Sequence, residues 1–346
     1  MASKTIPWRE LNGESKWTGL LEYPLNPELG DYLTHYCKMI EPIMDFFDKD
    51  NNSETLGLSR VDKKDLLNKA GLSKFYTVEE YLFASTKNIR MENDTRIMKL
   101  KSGYSNWMGY VAVSKDQGKA KFGRRDIVIA IRATIKQEEW FIKYCLNELV
   151  PANEIFGHDH KLKPKLHKGR YEYYITEDHH KSGYNSISFR NQVLDAVKEL
   201  VAKYQGEEIS ITVTGFSMGG AFATIIATDI VYNANKLLNN HACRGTSTTD
   251  NMIPVTAFVF ANSPVGDEDF SKVVCCLEFC NLRILRVKHE IDENPNTPTE
   301  DDGYFHVGKD LIIRRGVHNI KTYLSSIQDS KPKPSFICPN EKTRDH

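Results

Sequence analysis

The stretch 209-ISITVTGFSMGGAFATIIATDIV-231 decides the fold. Residues 209–216 are mostly apolar or β-branched, a run of the length and type of a strand buried on both faces. From Met218 onward the chain turns Ala-rich and reads as a helix. The change falls on 215-GFSMG-219, a G-x-S-x-G pattern. A strand before it and a helix after it form the setting of a nucleophile elbow, a strained turn that raises the serine hydroxyl above the sheet. Glycine at 215 and 219 lets strand and helix approach closely. The helix start supplies unpaired N–H groups and the positive end of a dipole, so the Met218 N–H faces the position of a developing oxyanion. The pentapeptide alone recurs by chance, with an idle serine in a glycine-rich turn as the plainer reading. Its flanks select Ser217 as the nucleophile.

Working outward, 126-DIVIAIRAT-134, 256-TAFVFANS-263 and 282-LRILRVKH-289 read as further buried strands, and 109-GYVAVS-114 as another. Between them, 189-FRNQVLDAVKELVAKY-204 sets Val193, Val197, Leu200 and Val201 at helical spacing, and the helix from Met218 is read as far as 238. Segment 17–50 reads as helical with interruptions at Pro24, Pro27 and Pro42, and 77-TVEEYLFAST-86 as one more helix. Apolar strands alternating with helices imply an α/β fold, a mostly parallel sheet with helices on both faces. Residues 1–329 are expected to form a single domain, and the Pro- and charge-rich 330–346 a flexible tail.

Lys+Arg and Asp+Glu both number 46 in 346 residues. That balance argues against a nucleic-acid partner. The run 159-DHKLKPKLHKGR-170 is locally basic and reads as a solvated loop, with contact to anionic head groups as the alternative. The seven cysteines form no framework, and Cys275, Cys276 and Cys280 lack a second ligand pair, so no metal is expected. The N-terminus lacks the apolar core of a signal peptide, and no run reaches the ~18 apolar residues of a membrane span. Reduced thiols in the cytoplasm are the resulting expectation.

An oxyanion hole takes its second donor from the loop after an earlier strand. The strand 126–134 ends in 132-RATIKQEEW-140, making Ala133 and Thr134 the candidates, with a helix cap as the plain reading of Thr134.

Several blocks together resemble the plant class II phospholipase A1 family within the class III lipase group. These are 8-WRELNGESKWTGLLEYPLNPELGDYL-33, 106-NWMGYVAVS-114, 123-GRRDIVIAIRAT-134 with Trp140, 207-EEISITVTGFSMGGAFAT-224, 256-TAFVFANSPVGDEDF-270, 304-YFHVGKDL-311 and 318-HNIKTYL-324. The resemblance implies an α/β-hydrolase fold and a Ser-Asp-His triad. It puts the acid at Asp292, in 285-LRVKHEIDENP-295, the base at His318, and the second oxyanion donor at the backbone of Thr134. Phe216 and Met218 stand where the family commonly has His and Leu, and Ala133 where it has Gly. Segment 261-ANSPVGD-267 lacks a Gly and an Arg usual there.

The order Ser217, Asp292, His318 suits this fold. Pattern alone leaves competitors: His289 and His306 for the base, and Asp267, Asp269, Asp301, Asp302 and Glu290 for the acid. Asp292 is favoured because it follows a strand end on the edge where α/β sites lie. The long segment 150–186 invites a lid, with Phe156, Tyr171, Tyr173, Tyr174 and Tyr184 meeting lipid or lining an acyl groove. The alternative is a strand at 170–176 whose aromatics face the core.

The resemblance implies cleavage of the sn-1 acyl ester of glycerophospholipids, or of galactolipids or acylglycerols, through an acyl-enzyme and without a cofactor, with transient contact to a membrane surface. Phe216, Met218 and Ala133 motivate an alternative, an esterase or acyltransferase acting on a specialised metabolite. A non-catalytic lipase-like scaffold is the third reading. Oligomeric state is not encoded in these patterns.

Overall fold

The computed structural model describes residues 5–85, 105–136, 139–140, 146–177, 183–234, 252–314 and 316–331. The chain opens with α1 (Trp8–Leu11), α2 (Pro27–Lys38) and α3 (Glu41–Phe46). Next come strands β1 (Tyr76–Ala84) and β2 (Asn106–Ser114), helix α4 (Asp116–Phe122) and β3 (Arg125–Ile131). A small hairpin, β4 (Leu149–Pro151) and β5 (Lys165–His167), encloses α5 (Asn153–Phe156) and leads into α6 (Lys168–Ile175). The second half is α7 (Phe189–Lys203), β6 (Ile209–Phe216), α8 (Met218–Tyr232), β7 (Val255–Phe260), α9 (Glu268–Leu277), β8 (Leu282–His289), β9 (Lys309–Ile313) and α10 (Ile320–Asp329).

Seven strands form one sheet in the order β1-β2-β3-β6-β7-β8-β9. The first two pairings are antiparallel and the rest parallel. Alternate strand residues feed two cores. Ile127, Ile129, Ile211, Val213, Ala257 and Val259 pack with α7 and α8 on one face. Val128, Ala130, Phe258, Phe260, Leu285 and Val287 pack with α2 and α10 on the other. This is the α/β arrangement expected from the sequence. Central strands flanked on both faces lose their apolar/polar alternation, which is why they were readable as short runs rich in apolar and β-branched residues.

Four local readings are corrected. Segment 77–86 is not a helix: Tyr76–Ala84 pairs antiparallel with β2, from Tyr76 opposite Ser114 to Ala84 opposite Asn106. Leu82 enters one core and Phe83 the other, the period-two arrangement that the Glu79-Glu80 pair disguised. Thr86 lies outside the described residues. Segment 17–50 is less helical than expected. Its helices are α2, capped by Asn26 Oδ1 accepting from Glu28 N and Leu29 N, and the short α3. Strand β3 stops at Ile131 and β7 at Phe260, so Arg132–Thr134 and Ala261–Ser263 leave the sheet as loops. Finally, 170–175 falls in the helix α6 rather than in a strand, with Thr176 as its extended C-cap, although Tyr171, Tyr173 and Tyr174 are indeed core residues.

Helix α8 follows the reading from Met218 to Tyr232, and the stretch 235–238 lies outside the described residues, as does 332–346 of the expected tail. Ser330 is anchored, its carbonyl accepting from Leu25 N at 2.8 Å. Among the described residues no helix is long and apolar enough to cross a membrane.

Candidate active site

The site grows from the turn between β6 and α8. Ser217 is the helix N-cap and has φ 56° and ψ −115°. A side-chain-bearing residue in such a backbone costs about 1–3 kcal/mol and persists only where its surroundings impose it. Here the neighbours do. A Cβ on Gly215 would lie 2.2 Å from the Gly219 carbonyl oxygen, and one on Gly219 would lie 2.4 Å from the carbonyl oxygens of both Ile131 and Arg132. Both contacts are with backbone, which cannot swing aside. Ser217 N donates to Phe260 O at 2.8 Å, tying the elbow to the adjacent strand.

Sheet register brings the remaining pieces together. Ile131 is opposite Gly215, so the loop after β3 leaves the sheet beside the elbow. Thr134, Ser217 and Met218 border one cleft together with Glu139, Arg170, Tyr173, Phe222 and Ser263. Met218 begins α8, where the first intrahelical bond is Ala221 N to Ser217 O at 3.1 Å. The Met218 N–H is therefore one of the first-turn donors that the helix itself leaves unpaired.

Asp292 lies just beyond the end of β8 and His318 just before α10. His318 Nε2 is 2.8 Å from Ser217 Oγ, and His318 Nδ1 is 2.7 Å from Asp292 Oδ2. The imidazole can donate from Nδ1 to the carboxylate and accept the serine proton at Nε2, the tautomer required of a general base. Tyr323 Oη donates to the same Asp292 oxygen at 2.8 Å, and Asn294 N donates to Oδ1 at 3.1 Å. Burial works to raise the Asp292 pKa. The hydrogen bond and charge of His318, with the bonds from Tyr323 and Asn294, outweigh it and hold the carboxyl below its ordinary value. Phe216 packs its ring 5.2 Å from both the His318 and Tyr323 rings. Phe216, the departure that precedes Ser217, thus forms a wall for the imidazole.

The competing residues are accounted for, Asp269 by accepting from Lys163 N and pairing with Lys272, and Asp301 by its exposure. His289 is buried and stands edge-on to the Tyr323 ring at 4.1 Å. Burial holds its pKa down. His306 is pushed down to about 3 by burial and by Arg286. Asp267 caps α9 by accepting from Phe270 N, Asp302 accepts from Thr299, and Glu290 is exposed.

Reading the sequence missed four residues near this centre. Tyr323 lies in the quoted block with His318 but carried no role. Arg132 and Glu139 form a buried ion pair whose ends bracket the loop holding Thr134. Arg132 donates to Glu139 through both terminal nitrogens and to Trp107 O at 2.6 Å. Glu139 Oε2 also accepts from Ile135 N at 2.8 Å and Lys136 N at 3.1 Å. Opposite charges bounding a short loop were the available signal. Arg170, the fourth, had none.

The fold and this constellation define an α/β-hydrolase with a serine, a histidine and an aspartate joined in series. Comparison with known proteins gives the family. The model of the family described as Lipase (class 3) matches residues 128–302. Phospholipase A1-IIgamma of Arabidopsis thaliana is 38% identical, over 88% of this chain and 71% of that protein. Phospholipase A1-II 1 of Oryza sativa subsp. indica is 36% identical, over 89% and 75%. The chain belongs to the class 3 lipase family of carboxylic ester hydrolases, alongside these plant phospholipase A1-II proteins. Among solved structures, a Rhizomucor miehei lipase in complex with its propeptide superposes with a TM-score of 0.51 at 15% identity, covering 88% of this chain and 78% of that one. That likeness concerns the fold alone.

Proposed function

We propose that the protein hydrolyses the sn-1 acyl ester of glycerophospholipids through an acyl-enzyme on Ser217. The observation that carries the reading is the serine–histidine–aspartate series with spacings of 2.8 and 2.7 Å. His318 takes the Ser217 proton as Oγ attacks the ester carbonyl, then returns it to the leaving glycerol oxygen. Asp292 fixes the tautomer and stabilises the imidazolium. Water, activated by the same histidine, releases the fatty acid. The N–H groups of Met218 and Thr134 hold the tetrahedral oxyanion. The phospholipase A1 names of the relatives support the choice of lipid and of position. Ile291 and Val317, next in sequence to Asp292 and His318, are 69% and 66% exposed. They offer apolar contact to a lipid surface at the mouth of the site.

The test pairs a fluorophosphonate probe with a panel of phospholipid, galactolipid, triacylglycerol and short-chain esters, with Ser217→Ala as control. Labelling that depends on Ser217 and release of the sn-1 fatty acid from phospholipid are expected. An unlabelled wild type removes the hydrolase mechanism, and a preference for soluble esters with no gain at a lipid surface removes the phospholipid assignment.

A further inference from the structure

Among the described residues, Arg124, Arg125, Arg132, Arg170 and Arg286 are the buried arginines. Four of them face a carboxylate: Arg124 that of Asp126, Arg125 those of Asp116 and Glu207, Arg132 that of Glu139, and Arg286 that of Asp310. Arg170 is the exception. It lies in the first turn of α6, is 3% exposed, and its guanidinium donates to Pro264 O at 2.7 Å from one terminal nitrogen. No described carboxylate forms an ion pair with it. A guanidinium has five N–H donors, and an isolated charge away from water is costly unless something compensates it.

The position of this charge gives it meaning. Arg170 borders the same cleft as Ser217, Met218 and Thr134. Glu139 borders that cleft too, but its oxygens are taken by Arg132, Ile135 N and Lys136 N. Arg132 neutralises it. Among the described residues the cleft therefore holds one cation without a carboxylate partner, on the same lining as Ser217, and an anionic ligand would supply the counter-charge.

We propose that Arg170 binds the phosphodiester of the substrate and so selects phospholipids over neutral acylglycerols at this site. The proposal rests on the phospholipase reading above and deepens it. A planar guanidinium with free donors matches two phosphate oxygens at once. A triacylglycerol offers it only ester carbonyls, which compensate no charge. Arg170 is thus a specificity residue; it has no part in the proton transfers among Ser217, His318 and Asp292.

The experiment uses the full chain and two variants, Arg170→Gln and Arg170→Lys, on two glycerol esters of equal acyl length: dibutyroylphosphatidylcholine as dissolved monomers and tributyrin. Loss of charge-assisted hydrogen bonds predicts that Arg170→Gln lowers kcat/KM for the phospholipid about ten- to a hundredfold and changes tributyrin by less than about threefold. Arg170→Lys is expected to fall between. In a second arm, glycerophosphocholine competes with p-nitrophenyl butyrate for the wild type and loses that competition in Arg170→Gln, while butyrate competes equally with both proteins. Equal losses on the two glycerol esters overturn the proposal. So does a wild type that glycerophosphocholine does not inhibit, or butyrate inhibition that depends on Arg170. If the wild type hydrolyses p-nitrophenyl butyrate but neither glycerol ester, the phospholipase reading fails, and the inhibition arm still decides the role of Arg170. Should Arg170→Gln not fold, Arg170→Lys and the wild-type inhibition decide between the outcomes.

Discussion

Glu139→Gln tests whether the loop carrying Thr134 is held by the buried ion pair. The substitution keeps the side chain's shape and removes its charge. Glu139 Oε2 accepts from Ile135 N and Lys136 N, and both oxygens receive Arg132. In the variant the amide NH2 meets the guanidinium donors, leaving Arg132 charged, 0% exposed and short of an acceptor. Breaking a buried pair from one side costs about 3–5 kcal/mol. For a chain of 346 residues, an unfolding entropy of about 2.1 cal/mol/K per residue gives roughly 0.7 kcal/mol/K, so Tm should fall by about 4–7 °C. Because Ile135 and Lys136 follow Thr134 directly, the loop should also lose its set. Removal of one oxyanion donor costs about 10²–10³ in kcat, so a partial displacement should cost at least tenfold, with KM for a short ester little changed. Differential scanning calorimetry and turnover of p-nitrophenyl butyrate measure the two effects. A variant with wild-type Tm and wild-type kcat would refute the claim that this pair positions the oxyanion loop. A lowered Tm with unchanged kcat would restrict it to stability.

Three further outcomes are expected. Gly219→Ala should destabilise the protein by about 3 kcal/mol or more, read by urea unfolding, since the new methyl meets two backbone carbonyls at 2.4 Å; a variant of wild-type stability would show that the elbow can widen. Asp292→Asn should cut kcat by about 10⁴ while Tm changes far less, because an amide cannot hold the required tautomer; near-normal turnover would transfer the role to another acid. Tyr323→Phe removes a hydrogen bond to the charged Asp292, a loss of about 1.5–3 kcal/mol at neutral pH. The sign with pH follows from the depressed Asp292 pKa. Its stabilisation is fully present above the ordinary aspartate value of 3.8 and is lost as pH falls through the lower folded value. Tyr323 Oη also accepts from His289 N at 3.2 Å, so the stability gap between the variant and the wild type should narrow below about pH 4 to the remainder from that lost acceptor; a gap independent of pH would mean that Tyr323 does not act on the carboxylate.

What could be read from the chain and what could not divide by the range of the interactions. The elbow was legible because it is local. Strand, strained serine and helix are contiguous, and the glycines needed for close approach lie inside the same ten residues. The sheet was legible for a related reason, since burial on both faces leaves β3, β6, β7 and β8 rich in apolar and β-branched residues without a strict alternation. Strand β1 was misread because Thr77 and Glu80 are exposed and a register shift between Val78 and Glu80 breaks the alternation, so an edge strand with two adjacent glutamates mimics a helix face. Asp292 and His318 came from block resemblance, as their contact depends on two loops meeting at the sheet's C-terminal edge. The supporting groups were harder still. Arg132 and Glu139 matter because a loop closes between them, and Tyr323 because α10 turns its hydroxyl towards Asp292.

Arg170 is the limiting case. A sequence says that an arginine exists, not whether a carboxylate meets it. An unpaired charge is a statement about every neighbour at once, so it becomes visible only when the neighbours are in place. In this molecule Tyr323, Asn294 and His318 complete Asp292, and Arg132 completes Glu139, while Arg170 keeps donors that no described acid takes up. On the proposed reading Ser217 attacks a lipid ester, and an anionic substrate would supply the counter-charge that Arg170 lacks among the described residues. A neutral lipid would leave the cation as uncompensated in the complex as in the free protein. On the proposed mechanism Ser217, His318 and Asp292 cleave either ester, so under that proposal the choice between a phospholipid and an acylglycerol rests on a group outside the triad.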